Sequence, residues 1–236
     1  MRTLAHALSL LLLAALPACA APRQSPPCED PRPLRVALVP VKNTHTQTRQ
    51  YRPLITALEA ATGRRVQAEP AKSYGSVIEG LLAGDIDLAE VGPASYAIAM
   101  KRGAQIDPIA SFTLQPGPAT PSSRAYHSVL ITRHDHPARD LKQLRGGTLS
   151  LTDPASTSGA ILPRQAVQRL TGVPREAYFE RITFAGAHDR SIEAVRTGRV
   201  DATFVASNAV DDAVRNGASR MDEIRILWRS KPIPYD

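Results

Sequence analysis

Apolar runs of strand length alternate along this chain with patterns of helical period, and that alternation restricts it to an α/β architecture. Residues 34–41 read as a buried strand. Tyr51, Leu54, Ile55 and Leu58 then fall at i, i+3, i+4 and i+7, the spacing of one helix face, and the pattern stops at Thr62-Gly63. Strands at 66–69, 86–91 and 108–112 and helices at 74–82 and 94–102 complete a first set of units. Residues 115–123, rich in Pro, Ser, Thr and Gly, have no periodicity and read as the loop that separates this set from the next. A second set follows with strands at 126–132, 148–152, 181–184, 200–205 and 224–229 and helices after Ser158, at 188–196 and from Asn208. The expected division is a lobe at 34–123, a second at 124–222, and a segment at 223–236 that returns as a strand to the first lobe.

The two sets carry a faint repeat. Ile78-Glu79, Gly84 and Asp87 match Ile192-Glu193, Gly198 and Asp201 at one constant offset, which also pairs Tyr74 with His188. Both of those residues are thereby expected to open a helix, one in each half, with polar tips that face a shared crevice.

Before Leu34 the chain is of another kind. Met1-Arg2 and the apolar run from Leu8 to Leu16 are too short to span a bilayer and read as a secretory leader, 1–19. Leu16-Pro17-Ala18-Cys19 is similar to a bacterial lipoprotein box, in which Cys19 is acylated; ordinary cleavage after Ala20 is the alternative. Residues 20–33 read as a tether. Cys28 is the second of two cysteines and pairs with Cys19 only where Cys19 carries no lipid. Removal of the leader leaves roughly 210 residues, enough for two lobes with separate cores.

Asp153-Pro154-Ala155-Ser156-Thr157-Ser158-Gly159 puts three hydroxyls where a loop becomes a helix. The first amides of a helix lack intrahelical acceptors and sit at the positive end of its dipole, so an oxyanion is stabilised there twice. The same serines also suit plain N-capping, and that role stays open here. The helix behind them has an apolar face of Ile161, Leu162, Ala166, Val167 and Leu170, and Pro163 fits if it falls in the first turn.

The formal charge of +7 favours anionic partners, but the cations are scattered, aromatics make up 5% of residues and no nucleic-acid motif is present, so a DNA-binding face is not expected. The sequence contains no Gly-x-Ser-x-Gly elbow, no Ser-x-x-Lys and no two-histidine zinc spacing, which argues against an enzyme and against a bound metal; no cofactor is expected.

Taken in order, Tyr51-Arg52-Pro53-Leu54, Ala71-Lys72-Ser73-Tyr74, Asp87-Leu88-Ala89-Glu90-Val91-Gly92-Pro93, Tyr126-His127-Ser128-Val129, the 153–159 stretch, Phe184-Ala185-Gly186-Ala187-His188 and Trp228-Arg229-Ser230 resemble the phosphonate, phosphite and phosphate-binding proteins of ABC transporters. The resemblance covers about Leu34 to Asp236. It implies a two-lobed type II periplasmic-binding-protein fold with a two-strand hinge. It implies a cage in which Ser156, Thr157 and Ser158 hold the oxyanion from the second lobe, Tyr74 donates from the first, Tyr126 from the hinge, and His188 completes the set. Asn208 stands where binders of aminoalkyl compounds place a carboxylate, and Asp236 matches an acidic ligand position at the last residue, with the family's C-terminal helices absent. The implied partners are a small phosphorus anion, an ABC permease and ATPase, and the membrane through acylated Cys19, outside the cytoplasm and as a monomer. A sensor that hands its closed state to a membrane signalling partner, and a receptor that no longer closes, remain open at this stage.

Overall fold

The computed structural model describes residues 33–42 and 44–234; the leader, Cys19, Cys28 and Asp236 lie outside the described residues. A first sheet has the order β2-β1-β3, all parallel, from β1 (Leu34–Leu38), β2 (Val66–Pro70) and β3 (Leu88–Glu90). Successive side chains of β1 point to opposite faces, so its apolar residues feed two cores. Leu34, Val36 and Leu38 meet Tyr51, Ile55 and Leu58 of α1 (Thr44–Thr62), whereas Ala37 and Val39 meet α2 (Tyr74–Ala83) and α3 (Pro93–Lys101) through Val77, Ile78 and Ala99.

The second sheet has the order β7-β6-β8-β5-β9. Parallel β6 (Thr148–Leu151), β7 (Arg181–Phe184) and β8 (Ala202–Ala206) repeat the order of the first sheet, and β5 (Ser128–Arg133) joins antiparallel to β8. Leu130, Leu149, Leu151 and Phe204 face α4 (Leu162–Thr171) and α5 (Arg175–Tyr178), while Val129, Ile131 and Val205 face α6 (His188–Arg196) and α7 (Ser207–Arg215). A two-stranded antiparallel ribbon of β4 (Ala125–Tyr126) and β10 (Ile233–Pro234) completes the strands.

The sequence repeat has a structural counterpart. Gly84 and Gly198 both adopt left-handed backbone, φ 73° and 70°, after α2 and α6. Three residues on, the Asp87 carboxylate accepts the Arg35 amide of β1 at 2.8 Å, and Asp201 accepts the Thr148 amide of β6 at 2.6 Å. Each aspartate thus fastens its strand connection to the first strand of its own sheet. Arg35 and Thr148 hold both carboxyls below the ordinary range, against the opposing effect of burial.

Three expectations are corrected. Residues 102–124 form no regular element: the strand predicted at 108–112 is absent, with Ile109 77% exposed, and Pro108 has no amide to give a ladder. The segment after Glu223 does not return directly to the first sheet; β9 (Ile224–Arg229) runs antiparallel to β5, because Ile224 and Ile226 find apolar cover on that lobe. Finally, α1 begins at Thr44, two turns before its apolar face, where its polar Gln47 is fully buried and donates to the Val39 carbonyl at 2.6 Å.

The aperiodic loop is also more than a connection. Ala119 and Thr120 are buried; the Ala119 amide donates to Asp211 Oδ1 at 2.9 Å and Thr120 Oγ1 to Ser207 Oγ at 2.8 Å. A Cβ at Gly117 would stand 2.5 Å from Asp211 Cγ. Gly117→Ala is therefore expected to destabilise the protein by about 1–3 kcal/mol, the usual cost of forced overpacking. Urea denaturation checks this, and an unchanged midpoint would disprove the tight contact.

Candidate functional site

Each parallel strand of both lobes runs into a helix or loop at its carboxyl end, and these ends face one another across a cavity of about 1150 Å3. Tyr74, Tyr126, Ser156, Thr157, Ser158, His188 and Asn208 all line it. Of the expected site residues only Asp236 cannot be placed, since it lies outside the described residues.

The hydroxyl triplet is held by unusual backbone. Ser156 is the N-cap, its Oγ accepting the Gly159 amide at 3.1 Å, so plain capping does occur. The next turn, Thr157–Ile161, is π-helical: the Ile161 amide reaches back to the Ser156 carbonyl at 3.0 Å. Pro163 then falls in the first turn of α4, where its missing amide leaves no bond unmade. Carbonyls of the widened turn are taken up by side chains, Ser158 O by Ser128 Oγ at 2.7 Å and Ala160 O by the buried Arg175 at 2.9 Å. Among the described residues the Thr157 and Ser158 amides donate to nothing, which leaves two fixed N–H groups at the positive end of the helix.

His188 opens α6 and is 4% exposed. Its Nδ1 accepts the Ala206 amide at 3.2 Å and lies 3.0 Å from Thr152 Oγ1. A backbone amide can only donate, so Nδ1 carries no proton and the neutral ring carries its hydrogen on Nε2. Burial lowers the pKa to about 4, so the ring is neutral at ordinary pH. It therefore serves as a neutral N–H donor.

Tyr74 opens α2 as Tyr74 was paired with His188 in the sequence, and its hydroxyl is hydrogen-bonded with that of Ser156 across the lobes. Burial first, then the Glu90 charge, push its pKa up, so it remains a phenol donor. Tyr126 sits in β4 with its hydroxyl beside Gly92, where an added Cβ would lie 4.0 Å from it.

Sequence reasoning missed the bonds that join the cavity walls. Asp153 Oδ2 accepts the Tyr74 amide at 3.3 Å and Thr157 Oγ1 accepts the Ala94 amide at 2.9 Å, so two helix starts of the first lobe are capped by the second. Ser95 Oγ donates to Ala155 O at 3.0 Å, and Lys42 Nζ meets Asp212 Oδ2 at 2.7 Å. Asp153 and Thr157 stood in the quoted motif, but nothing local marks their partners. Glu90, which accepts the Tyr51 hydroxyl and lines the same cavity, gave no signal beyond its place in a motif.

Two α/β lobes of matching strand order, a short antiparallel ribbon and a donor-lined cavity between strand ends define a type II periplasmic binding protein. The comparisons agree. The chain belongs to the family of periplasmic substrate-binding proteins of phosphonate ABC transporters, which it matches over residues 36–236. It is 31% identical to the phosphate-import protein PhnD of Mycolicibacterium smegmatis over 86% of this chain and 64% of that protein. With the phosphonates-binding periplasmic protein of Escherichia coli it shares 27% identity over 88% of this chain and 60% of that one, so it spans less than two thirds of either relative. The fold is similar to a binding-protein component of an ABC phosphonate transporter from Pseudomonas aeruginosa, with TM-score 0.76 and 21% identity, covering 87% of this chain and 67% of that one. PhnD1 of Prochlorococcus marinus in complex with methylphosphonate gives TM-score 0.71 at 20% identity over 87% and 75% of the two chains.

Proposed function

We propose that this chain is an extracytoplasmic solute-binding lipoprotein, anchored by acylated Cys19, that captures a small phosphorus oxyanion between its lobes and passes it to an ABC permease. The observation that carries this is the convergence of unpaired Thr157 and Ser158 amides, the Ser156 to Ser158 hydroxyls and the Nε2 edge of a neutral His188 on one cavity. Hydrogen bonds to a charged acceptor contribute about 1.5–3 kcal/mol each, and micromolar affinity corresponds to about −8 kcal/mol, so these donors suffice after ordering and desolvation costs. Fixed dipoles supply the stabilisation without a covalent step, which suits a binding protein. The relatives named for phosphate import and phosphonate binding support the ligand class. With Asn208 at the position discussed above, phosphite, phosphate or a simple alkylphosphonate is favoured over an aminoalkylphosphonate, whose ammonium an amide does not neutralise.

Isothermal titration with phosphite, phosphate, methylphosphonate and aminoethylphosphonate tests the proposal. At least one of the first three should bind with micromolar affinity or better, and Ser156→Ala should weaken it at least about tenfold by removing one charge-assisted contact. Absence of binding to all four compounds, in a folded protein, would refute it.

A further inference from the structure

The cavity wall is not made of donors alone. Asn208, in the first turn of α7, turns a buried Oδ1 that has no hydrogen-bond partner among the described residues. Two residues before it, the Ala206 amide fixes the His188 ring, so the acceptor stands on the same wall as the Nε2 donor. A buried carbonyl oxygen without a donor is unfavourable, and nothing in the protein relieves it. We propose that Asn208 reads a proton on the ligand: its Oδ1 accepts a hydrogen bond from a P–OH group, so that the site selects singly protonated phosphorus oxyanions over isosteric anions that have no hydroxyl. This rests on the oxyanion function proposed above.

The charge in the cavity favours the same ligand. Glu90 contributes a carboxylate to the lining, and that charge opposes a fully deprotonated dianion. A bare anionic oxygen placed at Asn208 Oδ1 would leave the acceptor unsatisfied and face its lone pairs. A site that pairs a buried polar atom with a ligand hydroxyl discriminates strongly against the analogue that lacks it.

Methylphosphonate monoanion and methanesulfonate test this directly, since they share shape and charge and differ by one proton. Titration of the wild-type chain with both should show methylphosphonate favoured at least about 30-fold, within the range that one orphaned buried group produces. Asn208→Leu should weaken methylphosphonate about tenfold and leave methanesulfonate within about threefold, which collapses the preference. Asn208→Asp, which presents only oxygen acceptors, should retain the preference. Equal wild-type affinity for the two anions would overturn the inference while leaving the oxyanion function intact. So would an Asn208→Leu variant that loses both anions equally, or an Asn208→Asp variant that loses the preference. Failure of the wild type to bind any phosphorus oxyanion would instead refute the proposed function itself.

Discussion

Gly159→Ala should remove measurable oxyanion binding, with a loss of at least about 100-fold, because several charge-assisted contacts depend on that single backbone position. An added Cβ would overlap the Thr152 side chain and come within 2.9 Å of Ser156 Oγ. Thr152 Oγ1 contacts His188 Nδ1, and Ser156 Oγ caps the Gly159 amide, so one methyl group disturbs the donor ring and the N-cap at once. The π-helical turn cannot retreat freely either, since Ser128 and Arg175 hold its carbonyls. Overpacking should cost about 1–3 kcal/mol of stability as well. Titration calorimetry paired with thermal denaturation separates the two effects. Near wild-type affinity in a folded variant would show that the 156–159 turn does not form the anion site.

His188→Ala is expected to weaken binding at least about tenfold, through loss of a neutral donor that the fold has already oriented. The pH dependence of stability gives an independent check. The folded-state pKa is depressed to about 4, whereas an unfolded histidine titrates near 6.5. Above about pH 6.5 neither state binds the proton, and the ring's burial carries no protonation penalty. As pH falls from about 6.5 toward 4 the unfolded chain takes up a proton that the folded chain refuses, and stability drops by up to about 3 kcal/mol. Below about pH 4 the folded ring also protonates and the contribution levels off. Urea titrations of wild type and His188→Ala across this range should differ by that acid-limb slope. Identical slopes would mean that the folded ring protonates near its ordinary pH, contrary to the bonding at Nδ1.

Much of this site was legible in advance. Ser156, Thr157 and Ser158 declare themselves because hydroxyls before an apolar face of helical period mark a helix start, and helix starts attract anions. Tyr74 and His188 emerged from a repeat that the matched strand orders and the aspartate fastenings now explain. The strand at 108–112 misled, because Ile109 and Phe112 look like strand residues although no neighbouring strand is there to receive them. The start of α1 at Thr44 was hidden because residues 44–50 show no apolar face, and Gln47 is buried through a hydrogen bond instead of an apolar contact.

The amino-acid sequence by itself determined the α/β alternation, the two sets of units and the hydroxyl-rich helix start, because each follows from spacing and capping between near neighbours. Only the tertiary structure decided that β9 closes the second sheet, that Asp153 and Thr157 cap helices of the opposite lobe, and that His188 keeps its proton on Nε2. Those outcomes share a cause. A buried donor or acceptor must find a partner, and when that partner lies dozens of residues away, the folded path of the chain selects it.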